Sequence, residues 1–138
     1  MPAFVDTNIL LYAASTVGRE ADKSRAARQI LAAGNWRLSA QVLQEFYVNA
    51  IRKLAQPLSE KAALAFIERL VKVEPVAIDL GMVLRGIHLS KRYQLSYWDG
   101  AIVAAAQISG CETLYSEDLN HGQLYDEVRV VNPFQSGS

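Results

Sequence analysis

The chain has 138 residues and a mass of 15.2 kDa, enough for one domain with its own core. Hydrophobic residues make up 51% and charged residues 20%, and 14 Lys and Arg offset 14 Asp and Glu, which excludes a broadly basic binder and an acidic disordered chain. Cys111 is the single cysteine, so an intrachain disulfide and a thiolate zinc cluster are excluded, and a reducing, cytoplasmic setting is expected. The opening MPAFVDTNIL lacks the basic region of a secretory signal. The longest uncharged stretches, 7–18 and 100–111, have 12 residues each, short of the roughly 18 a membrane span needs.

In chain order, the apolar run 2–5 predicts a buried strand ending at Asp6, and NILLYAAS predicts a helix directly after it. Arg19 to Ala33 predicts a second helix stopped by Gly34, and 37–39 a short strand. Gln41 to Leu54 is amphipathic, with Val42, Leu43, Phe46, Ala50 and Leu54 on one side. Pro57 breaks the chain, and Ser59 caps a helix running to about Lys72. The stretch 73–78 is rich in β-branched residues, and Asp79 caps a helix to Tyr93. Ser96 opens YWDGAIVAAAQIS, closed by Gly110. Thr113 to Tyr115 predicts a strand, 116–127 a polar loop, and 129–131 a last strand. Residues 1–135 read as one domain and SGS at 136–138 as a loose tail. Short apolar strands alternating with helices predict an α/β fold with a mostly parallel sheet, whose ligands sit at the carboxyl ends of the strands.

Two acids fall at such ends. Asp6 follows the first strand and Asp118 follows Thr113 to Tyr115. Asp99 lies in the first turn of a later helix, and Glu45 at the edge of the apolar arc of the Gln41–Leu54 helix. Each has a structural alternative. Asp6 can cap the next helix, Ser96 and Asp99 form a capping-box pattern, Asp118 suits a turn, and Glu45 suits a solvated helix face. Together they carry more. Carboxylates a few ångströms apart repel by about 3 kcal/mol per pair at an effective dielectric of about 20. A fold that converges them needs a cation or protons to relieve the repulsion. Oxygen-only ligands suit Mg²⁺ or Mn²⁺ rather than zinc, and such a set serves metal-assisted phosphodiester hydrolysis.

Four segments carry a family resemblance: VDTNIL at 5–10, QEF at 44–46, LSYWDGAIVAAA at 95–106, and LYSEDLNHGQ at 114–123 followed by VNPF at 131–134. In order and interval they resemble the motifs of the PIN domain, and over essentially the whole chain the sequence resembles a VapC-type ribonuclease toxin of a toxin–antitoxin pair. The resemblance implies a three-layer α/β/α sandwich and a Mg²⁺- or Mn²⁺-dependent endoribonuclease that leaves a 5′-phosphate and a 3′-hydroxyl. It maps the metal-binding and catalytic acids onto Asp6, Glu45, Asp99 and Asp118, with Asn8 and Ser116 in support. It also implies a VapB-like antitoxin partner and a homodimer, and the apolar surface of the early helices is a candidate groove for an amphipathic helix of that antitoxin. Gly100 departs from the alanine common in relatives.

Other features remain open at the level of sequence. A non-catalytic module of the same fold, binding RNA or protein, is the alternative reading. A phosphohydrolase with Asp6 as nucleophile would want a partnering lysine in a late motif, and Lys91, the only lysine after 72, lacks that context. Tyr97 and Trp98 suit either core packing or base stacking, and Arg19, Lys23, Arg25 and Arg28 either a solvated face or phosphate contacts. His121 and His88 read as surface and structural residues, and Cys111 as a small core residue.

Overall fold

The computed structural model describes residues 2–135; the expected tail at 136–138 lies outside the described residues. Its five strands are β1 (Ala3–Val5), β2 (Trp36–Arg37), β3 (Thr113–Tyr115), β4 (Leu124–Tyr125) and β5 (Val128–Val131). Six helices accompany them: α1 (Thr7–Ala14), α2 (Ala21–Ala33), α3 (Ala40–Arg52), α4 (Glu60–Leu70), α5 (Leu80–Tyr93) and α6 (Tyr97–Ile108). The sheet order is β2-β1-β3-β5-β4, parallel except where β4 pairs antiparallel with β5. This is the expected α/β architecture with a mostly parallel sheet.

Phe4, Val5, Leu114 and Val130 are fully buried, as strands covered by helices on both faces require. Helix starts follow side-chain chemistry. Ser39, Ser59, Asp79 and Ser96 each accept a backbone N–H from the first turn of the helix they precede. The left-handed Gly34 and Gly110 follow the ends of α2 and α6. Residues 100–106 of α6 are all buried. Their small side chains admit a close crossing with α5, tightest where Gly100 meets Gly86. A Cβ on Gly100 would stand 2.5 Å from the Gly86 carbonyl oxygen, and one on Gly86 would stand 3.1 Å from Ala101 Cα.

Three expectations about elements are corrected. The strand at 37–39 is Trp36–Arg37, with Ser39 making only an isolated bridge to Val76. The β-rich stretch 73–78 forms no strand: the helix before it ends in a single 3-10 turn, Val71–Val73, and Glu74 is left-handed at φ 56°. Pro75 then removes a ladder donor, so only Val76 bonds the neighbouring chain, donating to Leu38 and accepting from Ala40. The loop at 116–127 contains β4, whose two residues turn back on β5.

Candidate active site

The chain leaves β1 for β2 on one side and returns to β3 on the other, so β1 and β3 flank the point where the strand order reverses. Their carboxyl ends deliver Asp6 and the segment Ser116–Asp118 to one edge, where an α/β sheet opens a crevice. A cleft of about 240 Å³ lies there. It is lined by Asp6, Glu45, Asp99 and Asp118, and also by Asn8 and Trp98. Four acids from separate stretches of sequence therefore share one cleft.

Asp6 is 5% exposed and is held at both oxygens. Oδ1 accepts from Thr7 N at 2.7 Å, and Oδ2 accepts from the buried Ser116 hydroxyl at 2.8 Å. The capping role is thus real and occupies one oxygen only. Burial pushes the Asp6 carboxyl up to about 6, partly offset by these two donors, and the nearby charges of Asp118 and Glu45 push the same way as burial. Burial also raises Asp99, helped by the charge of Glu45 and opposed by the Ser96 hydroxyl. Asp118 is raised by its partial burial and then by Asp99, Glu117 and Glu45.

Glu45 reaches the cleft from the middle of α3. Its Oε1 accepts the Thr7 hydroxyl at 2.6 Å, and its Oε2 accepts Gln41 Nε2 at 3.3 Å. The same Gln41 nitrogen donates to the Trp98 carbonyl at 3.2 Å, which ties α3 to the start of α6. Sequence reasoning missed Thr7 and Gln41. The available signal for Gln41 was its place one helical turn before Glu45, on the same face. The Ser96–Asp99 cap is present from one side: Asp99 N donates to Ser96 Oγ at 3.1 Å. The turn reading of Asp118 is present too, since its N–H donates to Ser116 Oγ at 3.2 Å.

Glu117 points away from its neighbour's cleft into a separate network. It accepts Tyr12 Oη at 2.8 Å and Lys23 Nζ at 2.6 Å. The two contacts, Glu117 first, push the Lys23 ammonium up to about 12. Arg28 donates to the carbonyls of Ala13 and Ser15, and Arg25 pairs with Asp22. Most of the basic segment is thus spent within the fold. His121 is exposed and accepts Asn132 N at Nδ1, 3.0 Å. Cys111 is buried, and burial pushes its thiol up, away from a nucleophilic thiolate.

Among the described residues, no three His, Cys, Asp or Glu side chains are drawn together closely enough to hold an ion as they stand. The donor chemistry nonetheless fits a hard divalent cation. The cleft holds carboxylate oxygens in mutual repulsion, and both polar atoms of the Asn8 amide are buried without a well-formed hydrogen bond. That amide also lies close enough to Asp118 to favour its charged form.

No helix among the described residues is long and apolar enough to cross a membrane. The fold is similar to that of VapC20 from Mycobacterium tuberculosis, described as a sarcin-ricin loop cleaving toxin: TM-score 0.66, 19% identity, covering 84% of this chain and 89% of that one. It is similar to a toxin–antitoxin complex from Klebsiella pneumoniae, with TM-score 0.66, 23% identity and coverage of 96% and 98%. It is also similar to FitAcB from Neisseria gonorrhoeae, with TM-score 0.64, 19% identity and coverage of 95% and 97%. Comparison with curated proteins gives no match. The PIN domain profile matches residues 3–127, nearly the whole chain. The chain therefore belongs to the PIN domain family.

Proposed function

We propose that this protein is a divalent-metal-dependent endoribonuclease acting as the toxin of a toxin–antitoxin pair in the cytoplasm. The observation that carries the reading is the meeting of Asp6, Glu45, Asp99 and Asp118 in one cleft at the carboxyl edge of the sheet. These four would hold Mg²⁺ or Mn²⁺. The cation would supply charge neutralisation and Lewis acidity toward a phosphodiester. The chain's own groups prepare the site. Ser116 and Thr7 hold Asp6 at both oxygens, and Thr7 with Gln41 holds Glu45 at both of its oxygens. Such bonds fix the carboxylates before substrate arrives.

The decisive assay incubates purified protein with structured RNA in Mg²⁺ and in EDTA, beside Asp6→Asn and Asp99→Asn. Cleavage is expected in Mg²⁺ only, and a fall of at least about a hundredfold is expected in each variant, the scale set by losing metal ligation or its support. Cleavage that survives EDTA or both substitutions would overturn the reading.

The alternative is a binding module of the same fold without turnover. RNA binding with no cleavage in Mg²⁺ or Mn²⁺ supports that alternative.

An antitoxin and a second copy of the chain are the partners of the proposed toxin. The antitoxin in the description of the relative from Klebsiella pneumoniae supports the first of these. A groove of about 430 Å³ between α1, α2 and α4 is lined by Leu31, Leu58, Ala62 and Phe66, with Arg28 and Arg69 beside them, and suits an amphipathic helix. The exposed Ala62→Arg substitution should block antitoxin capture and leave RNA cleavage intact.

A further inference from the structure

The chain has twelve aromatic residues, all of them described. Eleven are buried or half-buried, and Trp98 alone is exposed. It is 63% exposed, whereas the other tryptophan, Trp36, is 7% exposed and donates its indole N–H to Leu31 O. A large aromatic left in water forgoes the burial that stabilises the other eleven. Its place is specific: it lines the cleft of the four acids, one residue before Asp99.

Its surroundings hold it there. The Trp98 carbonyl accepts Gln41 Nε2 at 3.2 Å, and Gln41 is 95% buried by its 5% exposure. The Tyr97 ring meets the indole edge-on, with centroids 5.1 Å apart and planes at 72°. The side chain is thus supported from its own backbone and from one neighbour while most of its surface stays in water. A flat, rigid, exposed π-surface at the rim of an acidic cleft does not attract a phosphate, and the acids around it repel one. It suits the uncharged part of a nucleotide, the base.

We propose that Trp98 is a stacking platform for an unpaired nucleobase, seating the nucleotide beside the phosphodiester that enters the acidic cleft. The inference rests on the ribonuclease reading and deepens it: the substrate is single-stranded at the cleavage site, because a base within a duplex cannot turn onto the indole. Stacking accepts any base, so Trp98 selects for strandedness more than for sequence.

Intrinsic fluorescence tests this, because the only other tryptophan is buried. An unstructured RNA octamer and an octamer of the same length with abasic sites are titrated in Mg²⁺ into the Asp6→Asn protein, which slows turnover. RNA binding is followed separately by anisotropy of an end label. The RNA octamer is expected to quench the exposed tryptophan, and the abasic octamer to leave it bright. Adding Trp98→Ala should weaken RNA binding about 5- to 150-fold, the range of one aromatic–base stack, with no change toward the abasic octamer. Trp98→Phe should recover most of the affinity and lose the quench. In the otherwise native protein, Trp98→Ala should raise KM and leave kcat nearly unchanged.

Binding and cleavage that persist unchanged in Trp98→Ala would overturn the platform and leave the ribonuclease reading standing. So would an unquenched indole in bound protein, or quenching by a protein partner alone. No RNA binding by anisotropy would overturn both.

Discussion

Asp6 is the residue on which the site's behaviour turns. An unfolded aspartate ionises near pH 4, whereas the native Asp6 carboxyl is pushed up to about 6 by burial. Below pH 4 both states hold the proton and the group has no effect on stability. Between pH 4 and 6 the unfolded chain releases a proton that the native chain retains, so stability falls as pH rises, and it levels off above about 6. The loss is on the order of 3 kcal/mol for a fully buried group, before any cation binds. Urea unfolding in EDTA from pH 4.5 to 7.5 should show this decline in the native protein and a flatter profile in Asp6→Asn. Activity should move the opposite way and rise with pH through about 6, because the ionised carboxylate is the form that binds a cation. Parallel stability profiles for the two proteins would remove Asp6 as the source.

At the scale of elements, the α5–α6 crossing gives the sharpest expectation. Gly100→Ala would set a Cβ 2.5 Å from a backbone carbonyl that cannot swing aside. The helices must part, at a cost of about 1–3 kcal/mol despite alanine's better helix propensity. Gly18→Ala, with no atom within 4 Å of the added Cβ, is the control and should be close to neutral. Thermal melts of the two variants compare them directly, and an unaltered melt for Gly100→Ala would contradict the tight crossing. In sequence, Gly100 was legible only as a departure from a family pattern, because a glycine's use depends on what faces it, and Gly86 lies fourteen positions away. The helices were legible, and so were the caps Ser59, Asp79 and Ser96, because each acts on its own next turn; Ser39, which caps α3, was read instead as the end of a strand. The edge elements were not. Whether Val76 or Leu124 finds a ladder partner depends on chain brought in from elsewhere, which local β-propensity does not encode. The same holds for the cleft. Asp6 and Asp118 were marked by strand ends, whereas Thr7 matters through Glu45, which reaches it only once α3 meets α1, and Gln41, one turn from Glu45 within α3, gains its second partner, the Trp98 carbonyl, only once α3 meets α6.

Across the whole molecule, the balance of 14 bases and 14 acids conceals an uneven distribution. Setting aside the four acids of the cleft leaves ten acids against fourteen bases, a formal +4 on the remaining surface and core. Several of those bases are already paired within the fold, including Lys23, Arg25 and Arg28. RNA binding should therefore depend on salt only modestly. A slope of log K against log salt of about −1 to −3 is expected, corresponding to a few phosphate contacts on a single strand. A steeper slope would mean that a broad basic surface, rather than the cleft and its rim, dominates binding. The whole-molecule reading depends most on whether the converged acids bind a cation. The direct measurement is a Mn²⁺ titration by calorimetry at pH 7.5 of the native protein and of Asp6→Asn, Glu45→Gln, Asp99→Asn and Asp118→Asn. Saturable binding is expected in the native protein, weakened about ten- to a hundredfold or more in each variant. Equal binding by all five proteins, or none by the native one, would contradict a four-acid cation site.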